Sequence, residues 1–159
     1  MATGPTPTAR RAGPADAAVV LRLVREIAAA EGDVSDVGSD ERTWAAMLAR
    51  PDVLVLLAER DGEPVGYVSA LRRLHLWLGT DVLALDDLFV RDGHRDAGVG
   101  RFLMTELARR VAAEDLVVRW EVREDNTAAQ RFYRRLGAQL RTKVVAWWPP
   151  EAQRGLLGD

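Results

Sequence analysis

The sequence contains no cysteine and only two histidines, and these shortages rule out several kinds of functional site. Without cysteine the chain can form no disulfide and no thiolate zinc site, and a cysteine nucleophile is excluded. His75 and His94 are too few for a metal site built on histidine. We therefore predict a protein that binds no metal.

The sequence also has little excess charge of either sign and no long apolar run. The formal net charge is −2 and there is no block of basic residues, so electrostatics gives little support to a nucleic-acid partner. No apolar run approaches the ~20 residues that a membrane span needs, and the first residues lack the apolar core of a signal peptide. We expect a cytoplasmic protein with no nucleic-acid partner and no membrane.

Length and hydrophobic periodicity predict one α/β domain. The chain has 159 residues, and we assign residues 8–159 to the domain, after a disordered extension at residues 1–7. Apolar spacings of three and four residues predict helices that begin near residues 14, 40, 100 and 127. Alternating or continuous apolar runs predict strands at residues 8–12, 53–58, 65–71, 82–90, 116–122 and 138–148. This order predicts a mixed sheet flanked by helices.

The stretch that follows the apolar run 82–90 has the features of an anion-binding loop. It leads through Gly98 and Gly100 into an amphipathic helix, and glycine at a helix N-terminus leaves backbone N–H groups open to a phosphate. The stretch lacks the lysine of a Walker phosphate loop and the third glycine of the dinucleotide-binding motif. Both of these nucleotide-binding classes are therefore poor matches, and an anion site of another kind is predicted.

Two motifs resemble the signatures of the GCN5-related N-acetyltransferase (GNAT) family. The first is R-x-x-G-x-G, which runs here from Arg95 to Gly100 and resembles the acyl-CoA loop of that family. The second is N-x-x-A-x-x-F-Y-x-x-L-G-A, which begins at Asn126 and ends at Ala138. Because both occur in the family's order and on the expected elements, the chain is identified as a member over about residues 8–148.

The resemblance implies acetyl-CoA as cosubstrate and a fold in which two parallel strands of the mixed sheet splay apart to admit its pantetheine arm. The matching pantetheine positions are Leu88, Phe89 and Val90. The residues that match the pyrophosphate loop are Arg95, Asp96, Ala97, Gly98, Val99, Gly100 and Arg101, and Asn126 completes the cofactor-binding set. Asp96 and Ala97 depart from the glycine and basic residue that are common there, so phosphate binding would depend more on backbone amides.

Two residues are candidates for the chemistry of acetyl transfer. Tyr133 matches the family's general acid for the departing thiolate, and an ordinary tyrosine with a pKa of about 10 is protonated at neutral pH. Asp86 is the candidate base, directly or through water, since a primary amine with a pKa of about 10.4 is mostly protonated at neutral pH. Adjacent strand residues face opposite sides, so at most one of Asp86 and Asp87 is expected in the cleft.

The segment around Asp86 resembles most closely the diamine (spermidine/spermine) branch of the family. That branch typically shows L-E-D-x-F-V where this chain runs from Leu85 to Val90, and Asp86 is one methylene shorter than the glutamate. The acidic segment at residues 31–38 is either solvated surface or the lining of a pocket for a cationic substrate. Glu31, Asp33 and Glu121 are weaker candidates for such a negative wall.

Three functions agree with these residues. The resemblance favours acetyl transfer to a primary amine of a small molecule, such as a polyamine, a diamine or an amino acid, by direct attack in a ternary complex. Acetylation of a protein N-terminus or lysine is the first alternative. Acyl-CoA binding without turnover is the second, and Tyr133 and Asn126 argue against it.

The family resemblance and the tryptophans also predict a homodimer. Trp147 and Trp148 lie near the last predicted strand, where they would be available for an interface. The competing interpretation is that the tryptophans complete the core of a monomer.

Overall fold

A five-stranded sheet carries its strands in the order in which they occur along the chain. The computed structural model describes residues 6–157. The strands are β1 (Thr8–Arg11), β2 (Val53–Arg60), β3 (Glu63–His75), β4 (Thr80–Val90) and β5 (Val117–Arg119). Neighbouring strands pair antiparallel from β1 to β4, whereas β4 and β5 pair parallel, so the predicted mixed sheet is confirmed.

Four helices begin within a few residues of their predicted starts, and a fifth, after residue 149, was not predicted. They are α1 (Ala17–Glu31), α2 (Glu41–Leu48), α3 (Val99–Val111), α4 (Thr127–Arg135) and α5 (Pro150–Leu157). The Asp40 side chain caps α2 by accepting from the Thr43 N–H at 2.7 Å. Such a bond satisfies one of the N–H groups that a helix start leaves without a partner.

The chain divides into two compact units, one that ends at Glu121 and one that begins at Val122. The sheet and α1 to α3 belong to the first unit, and α4 and α5 belong to the second. The expectation of one domain over residues 8–159 stays a prediction, and residues 1–5 of the predicted extension lie outside the described residues. No helix between residues 6 and 157 has the length and apolar character needed to cross a membrane.

Helices cover both faces of the sheet in the first unit. Helix α3 packs on one face and α1 with α2 on the other. The first buried cluster includes Leu56, Val68, Leu83, Leu103 and Leu107. The second includes Val20, Leu23, Leu48, Val55, Leu57, Tyr67 and Phe89. Because β2 is buried on both sides, its sequence is a continuous apolar run instead of an alternating one.

The β2–β3 turn is a two-residue hairpin turn at an Asp-Gly pair, a sequence typical of such turns. Asp61 and Gly62 have φ angles of 51° and 80°. Two successive residues with positive φ are typical of the two-residue hairpin turn whose twist matches that of the strands. The turn brings the end of β2 back into antiparallel pairing with β3.

Two predicted strands differ from the structure. Residues 138–148 form no strand, and the large apolar side chains of Val144 and Trp147 there are exposed. An alternating sequence can occupy a strand only if a neighbouring strand accepts its hydrogen bonds, and this segment has no such ladder among the described residues. The strand predicted at 116–122 is confined to β5, because its ladder with β4 ends at Arg119.

Gly66 allows β3 and β4 to approach closely, and its replacement is expected to destabilise the fold. A Cβ built on Gly66 would lie 2.5 Å from the Phe89 carbonyl oxygen, which is backbone and cannot move aside. Gly66→Ala is expected to lower the free energy of unfolding by about 1–3 kcal/mol, as overpacking does. Urea denaturation measures this, with Gly38→Ala as the control, since a Cβ there meets nothing within 4 Å. Equal stabilities of the two variants would contradict the prediction.

Candidate active site

The loop between β4 and α3 takes its shape from three residues with positive φ. The φ angle is 84° at Gly93, 59° at Asp96 and 79° at Gly98. Helix α3 begins directly after Gly98, at Val99 and Gly100, and no described side chain caps it. The N–H groups of a first helical turn have no partner within the helix. They lie where the sequence predicts an anion site, at the positive end of a 13-residue helix.

Asp96 has a left-handed backbone conformation, which residues other than glycine seldom adopt. This conformation is a physical reason for the glycine that is common at this position in the family, and aspartate is among the residues that tolerate it best. The exposed Asp96 carboxylate also puts a negative charge on the loop, and Arg101 is an exposed cation in the first turn of α3. The departure at Asp96 therefore costs the loop backbone strain and some attraction for an anion.

Two arginine side chains hold this loop through backbone carbonyl groups, one at the end of β4 and one within the loop. Arg95 donates from Nε to the Val90 carbonyl at 3.0 Å and forms an ion pair with Asp92 at 3.2 Å. Arg60, in the last position of β2, donates from Nη2 to the Ala97 carbonyl at 3.1 Å. The structure thus places Arg95, a predicted phosphate contact, on the last carbonyl group of β4.

The parallel pairing of β4 with β5 stops early. Val82, Leu83 and Ala84 pair with β5, and beyond Ala84 the strand continues to Val90 while paired only with β3 among the described residues. The β5 side of β4 is therefore an open edge after Ala84. This is the edge at which the family resemblance places the pantetheine arm.

The side chains at the end of β4 belong to the core. Phe89 is buried, and its ring centre lies 6.2 Å from that of Tyr67 on the α1 face of the sheet. Leu88 and Val90 are partly buried against the cluster that includes α3. Since packing occupies these side chains, the backbone of Leu88, Phe89 and Val90 is the part that can bind a ligand at the open edge.

A β-bulge at Asp86 changes the directions in which the side chains of Asp86 and Asp87 point. Ser69 lies opposite Asp87 and Ala70 lies opposite Leu85, so Asp86 is the extra residue of β4. Strict alternation of side chains does not hold across a bulge. Asp86 is exposed, whereas Asp87 is half-buried and lines a cavity of which Asp86 is not part.

Asp87 is held by two side chains of β3. The buried Tyr67 hydroxyl donates to Asp87 Oδ2 at 3.0 Å. Ser69 Oγ lies 3.4 Å from the same oxygen and accepts the Asp87 backbone N–H at 3.1 Å. Burial, together with the Asp87 charge, raises the pKa of Tyr67 above its ordinary value, so this hydroxyl stays a donor at neutral pH. The carboxylate is therefore fixed in one orientation.

The cavity beside Asp87 is open, has a volume of about 510 Å³ and is strongly acidic. Its carboxylates are Glu31, Asp33, Asp36 and Asp87. The first three come from the end of α1 and the acidic segment after it, and Val24 and Ile27 of α1 supply apolar wall. The acidic segment thus lines a pocket, as one of the two interpretations of the sequence predicts. Glu121, also proposed for a negative wall, is not among the lining residues.

Asp86 lies beside the open edge of β4 and has an altered acidity. Partial desolvation, and then the charge of Asp87, raise the pKa of Asp86 above its ordinary value of 3.8. A carboxylate with a raised pKa is a better proton acceptor than an ordinary one. Its place on the bulge, however, puts Asp86 outside the acidic cavity.

The second unit contains the other two predicted site residues. Asn126 Oδ1 accepts the Ala129 N–H at 3.0 Å and so caps α4. Tyr133 is buried on α4, and its ring meets Phe132 edge-on with centres 5.2 Å apart. The role of its phenolic hydroxyl as a general acid stays a prediction.

Sequence reasoning missed Tyr67 and Ser69, and it assigned Asp87 no role. Tyr67 stands in an apolar strand and has the sequence context of a core residue. A signal was present, because Tyr67 and Ser69 are two residues apart and so share one face of a strand that pairs with the aspartates. The described residues contain no group of three histidine, aspartate or glutamate side chains arranged to hold a metal ion.

The raised pKa of Asp86 predicts a pH-dependent effect on stability. The folded chain binds the Asp86 proton more tightly than the unfolded chain, so the ionised group destabilises the fold above the folded pKa and has no such effect below 3.8. Asp86→Asn is therefore expected to raise the melting temperature at pH 7, with a gain that disappears as the pH falls towards 3.8. Calorimetry at both pH values measures the difference. A variant less stable than wild type at pH 7 would refute the assigned cause.

Comparison with solved structures gives the same fold. An aminoglycoside N-acetyltransferase in complex with CoA has a TM-score of 0.75 and 18% identity, covering 94% of this chain and 99% of that one. A ribosomal-protein-alanine N-acetyltransferase from Brucella melitensis has a TM-score of 0.68 and 17% identity, covering 89% and 100%. A putative acetyltransferase from Arthrobacter has a TM-score of 0.71 and 27% identity, covering 94% and 97%.

The sequence comparisons identify the family. No curated protein matches the chain. The model of the acetyltransferase (GNAT) family matches residues 21–138, which include both the loop after β4 and the motif that begins at Asn126. The chain therefore belongs to the GNAT family of acetyltransferases.

Proposed function

We propose that the protein transfers the acetyl group of acetyl-CoA to a primary amine of a small molecule that carries at least one further positive charge. The observation that carries this proposal is the cavity beside β4, with its carboxylates Glu31, Asp33, Asp36 and Asp87. A polyamine or diamine, which the resemblance to the diamine branch favours, fits this description, as does an amino sugar. The cytoplasmic location and the homodimer expected from the sequence are parts of the same proposal.

Electrostatics explains why this cavity suits a polycation. Opposite charges about 4 Å apart attract by about 1 kcal/mol in water and by more where the solvent is partly excluded. Several carboxylates on one wall add their potentials, so a ligand with two ammonium groups gains from both. A volume of about 510 Å³ also suits a small molecule.

The loop and the open edge of β4 support acetyl-CoA as the donor. The first-turn amides of α3 would hold the pyrophosphate, and the backbone from Leu88 to Val90 would pair with the pantetheine arm. The neighbour in complex with CoA has the same fold as this chain. Both features lie at the carboxyl end of β4, where open α/β sheets generally bind ligands.

Acetyl transfer requires that the amine lose a proton and that the departing thiolate gain one. The amine nitrogen attacks the thioester carbonyl, a C–N bond forms, the C–S bond breaks, and the nitrogen loses a proton. Asp86 takes that proton directly or through water, and Tyr133 donates one to the departing thiolate. Asp87, held by Tyr67 and Ser69, binds an ammonium group of the acceptor.

A panel of acceptors tests the proposed function. The protein is incubated with acetyl-CoA and a diamine, a monoamine of equal length, an aminoglycoside or a peptide with a free N-terminus, and the appearance of free thiol is followed. The proposal expects kcat/KM for the diamine or aminoglycoside to exceed that for the monoamine by tenfold or more. Preference for the peptide would support the protein-acetylating alternative, and no thiol release with any acceptor would support binding without turnover.

The charge of Asp36 is expected to affect binding of the acceptor amine and not binding of acetyl-CoA. Asp36→Asn removes one carboxylate of the cavity, so the KM for a diamine is expected to rise by roughly fivefold, equivalent to about 1 kcal/mol. Added salt reduces the difference, because it screens exposed charges. Steady-state kinetics measures both, with Asp52→Asn as the matched control, since Asp52 pairs with Arg50 away from the cavity. An equal change in both variants would remove Asp36 from the acceptor site.

The hydroxyl of Tyr133 is expected to matter for turnover. Tyr133→Phe keeps the packed ring and removes the proton donor, so kcat is expected to fall by roughly 10²–10⁴-fold with little change in the KM for acetyl-CoA. Single-turnover rates are measured beside kcat, since slow product release can hide a change in chemistry. Wild-type single-turnover rates in the variant would exclude the acid role.

A further inference from the structure

An ion pair joins α1 to the first residue of the loop that follows β4. Arg91 donates from Nε to Glu26 Oε2 at 2.8 Å and from Nη2 to Glu26 Oε1 at 2.6 Å. Its remaining nitrogen, Nη1, donates to the Pro64 carbonyl at 2.7 Å. The backbone N–H of Arg91 also donates to the Val65 carbonyl at 2.9 Å. Arg91 is thus fixed to α1 and to the start of β3 at the same time.

This pair has the features of a strong interaction. Two parallel hydrogen bonds between a guanidinium and a carboxylate fix the relative orientation of both groups, which a lysine cannot do. The side chains are only 25% exposed at Arg91 and 34% at Glu26, so solvent screens them less than a surface pair. The hydrogen bonds from Arg91 lower the pKa of Glu26, which keeps the carboxylate ionised at neutral pH.

The two partners lie on the elements that form the two halves of the site. Glu26 lies on α1 between Val24 and Ile27, which both line the acidic cavity. Arg91 is followed at once by the loop with positive φ at Gly93 and Asp96, and its carbonyl accepts the His94 N–H at 3.1 Å within that loop. A shift of α1 or of the loop would therefore strain this pair of side chains.

We infer that Glu26 and Arg91 are positioning residues that hold the loop between β4 and α3, the proposed CoA site, against α1, which lines the proposed acceptor cavity. Binding of CoA and binding of the acceptor amine then both depend on their pairing. The inference rests on the proposed function, because it takes the loop as the site of CoA and the cavity as the site of the amine. Neither residue touches the reacting atoms. Loosening the pair removes the tie to α1 and leaves Arg91 held only to the start of β3. CoA must then order more of the loop when it binds, which lowers affinity.

Titration calorimetry with CoA itself tests the inference. Glu26→Gln changes a helix that is not part of the loop, yet it is expected to weaken CoA binding by about fivefold. Arg91→Gln is expected to do the same, and the double variant is expected to be no weaker than either single one, because the residues act as a unit. Arg91→Lys, which keeps the charge without the paired hydrogen bonds, is expected to lie between wild type and Arg91→Gln.

The control separates positioning from stability alone. Asp16→Asn breaks the pair of Arg10 and Asp16, in which two guanidinium nitrogens also bind one carboxylate, at 2.9 and 2.8 Å. It is expected to lower the melting temperature and leave CoA affinity unchanged. If Glu26→Gln likewise lowers the melting temperature but changes CoA affinity by less than twofold, the pair is structural only and the inference is wrong.

Measurements on the wild-type protein distinguish this failure from failure of the proposed function. Wild-type protein that does not bind CoA would refute the use of acetyl-CoA, and the inference with it. Wild-type protein that binds CoA and acetylates a diamine, beside a Glu26→Gln variant of equal affinity, would refute the inference alone. If Glu26→Gln does not fold, Arg91→Lys provides the same comparison, with equal affinity again counting against the inference.

Discussion

The burial of the sheet on both faces determines where this protein can place polar groups. With α3 on one face and α1 and α2 on the other, a charged side chain in the middle of β2 or β3 would lose its hydration without a partner. The polar groups of the site therefore occur where the sheet is interrupted. Asp86 lies at the bulge, Asp87 is the next residue, and the loop before α3 begins where β4 ends. Tyr67 is a polar residue in the middle of β3, but its buried hydroxyl keeps a hydrogen-bond partner in Asp87.

The sequence predicted most of the fold because the strongest patterns are local. The helices predicted to begin near residues 40, 100 and 127 each depend on a few adjacent residues, and all are present in the structure. The segment 138–148 shows the limit of such patterns. Its alternation describes the faces of a strand, but pairing depends on a second segment elsewhere in the chain.

The candidate site was predicted unevenly for the same reason. The loop from Arg95 to Gly100 has a recognisable local motif, and the structure shows the left-handed residues that such a loop requires. The bulge at Asp86 depends on the register between β3 and β4, which no single segment contains. Likewise, the pairing of Glu26 with Arg91 joins residues 65 positions apart, so neither sequence context indicates the other.

The open edge of β4 has a consequence for how the protein behaves in concentrated solution. A strand edge with unpaired N–H and C=O groups is a template on which another chain can add a strand, and this is a common route to aggregation. Asp86, on the bulge of β4, puts an acidic group beside that edge. Two copies that approach through this edge bring their carboxylates together, and the repulsion keeps them apart at neutral pH. Protonation of Asp86, whose pKa is raised above its ordinary value, weakens this repulsion, so lowering the pH favours association through the same edge that the proposed donor would occupy.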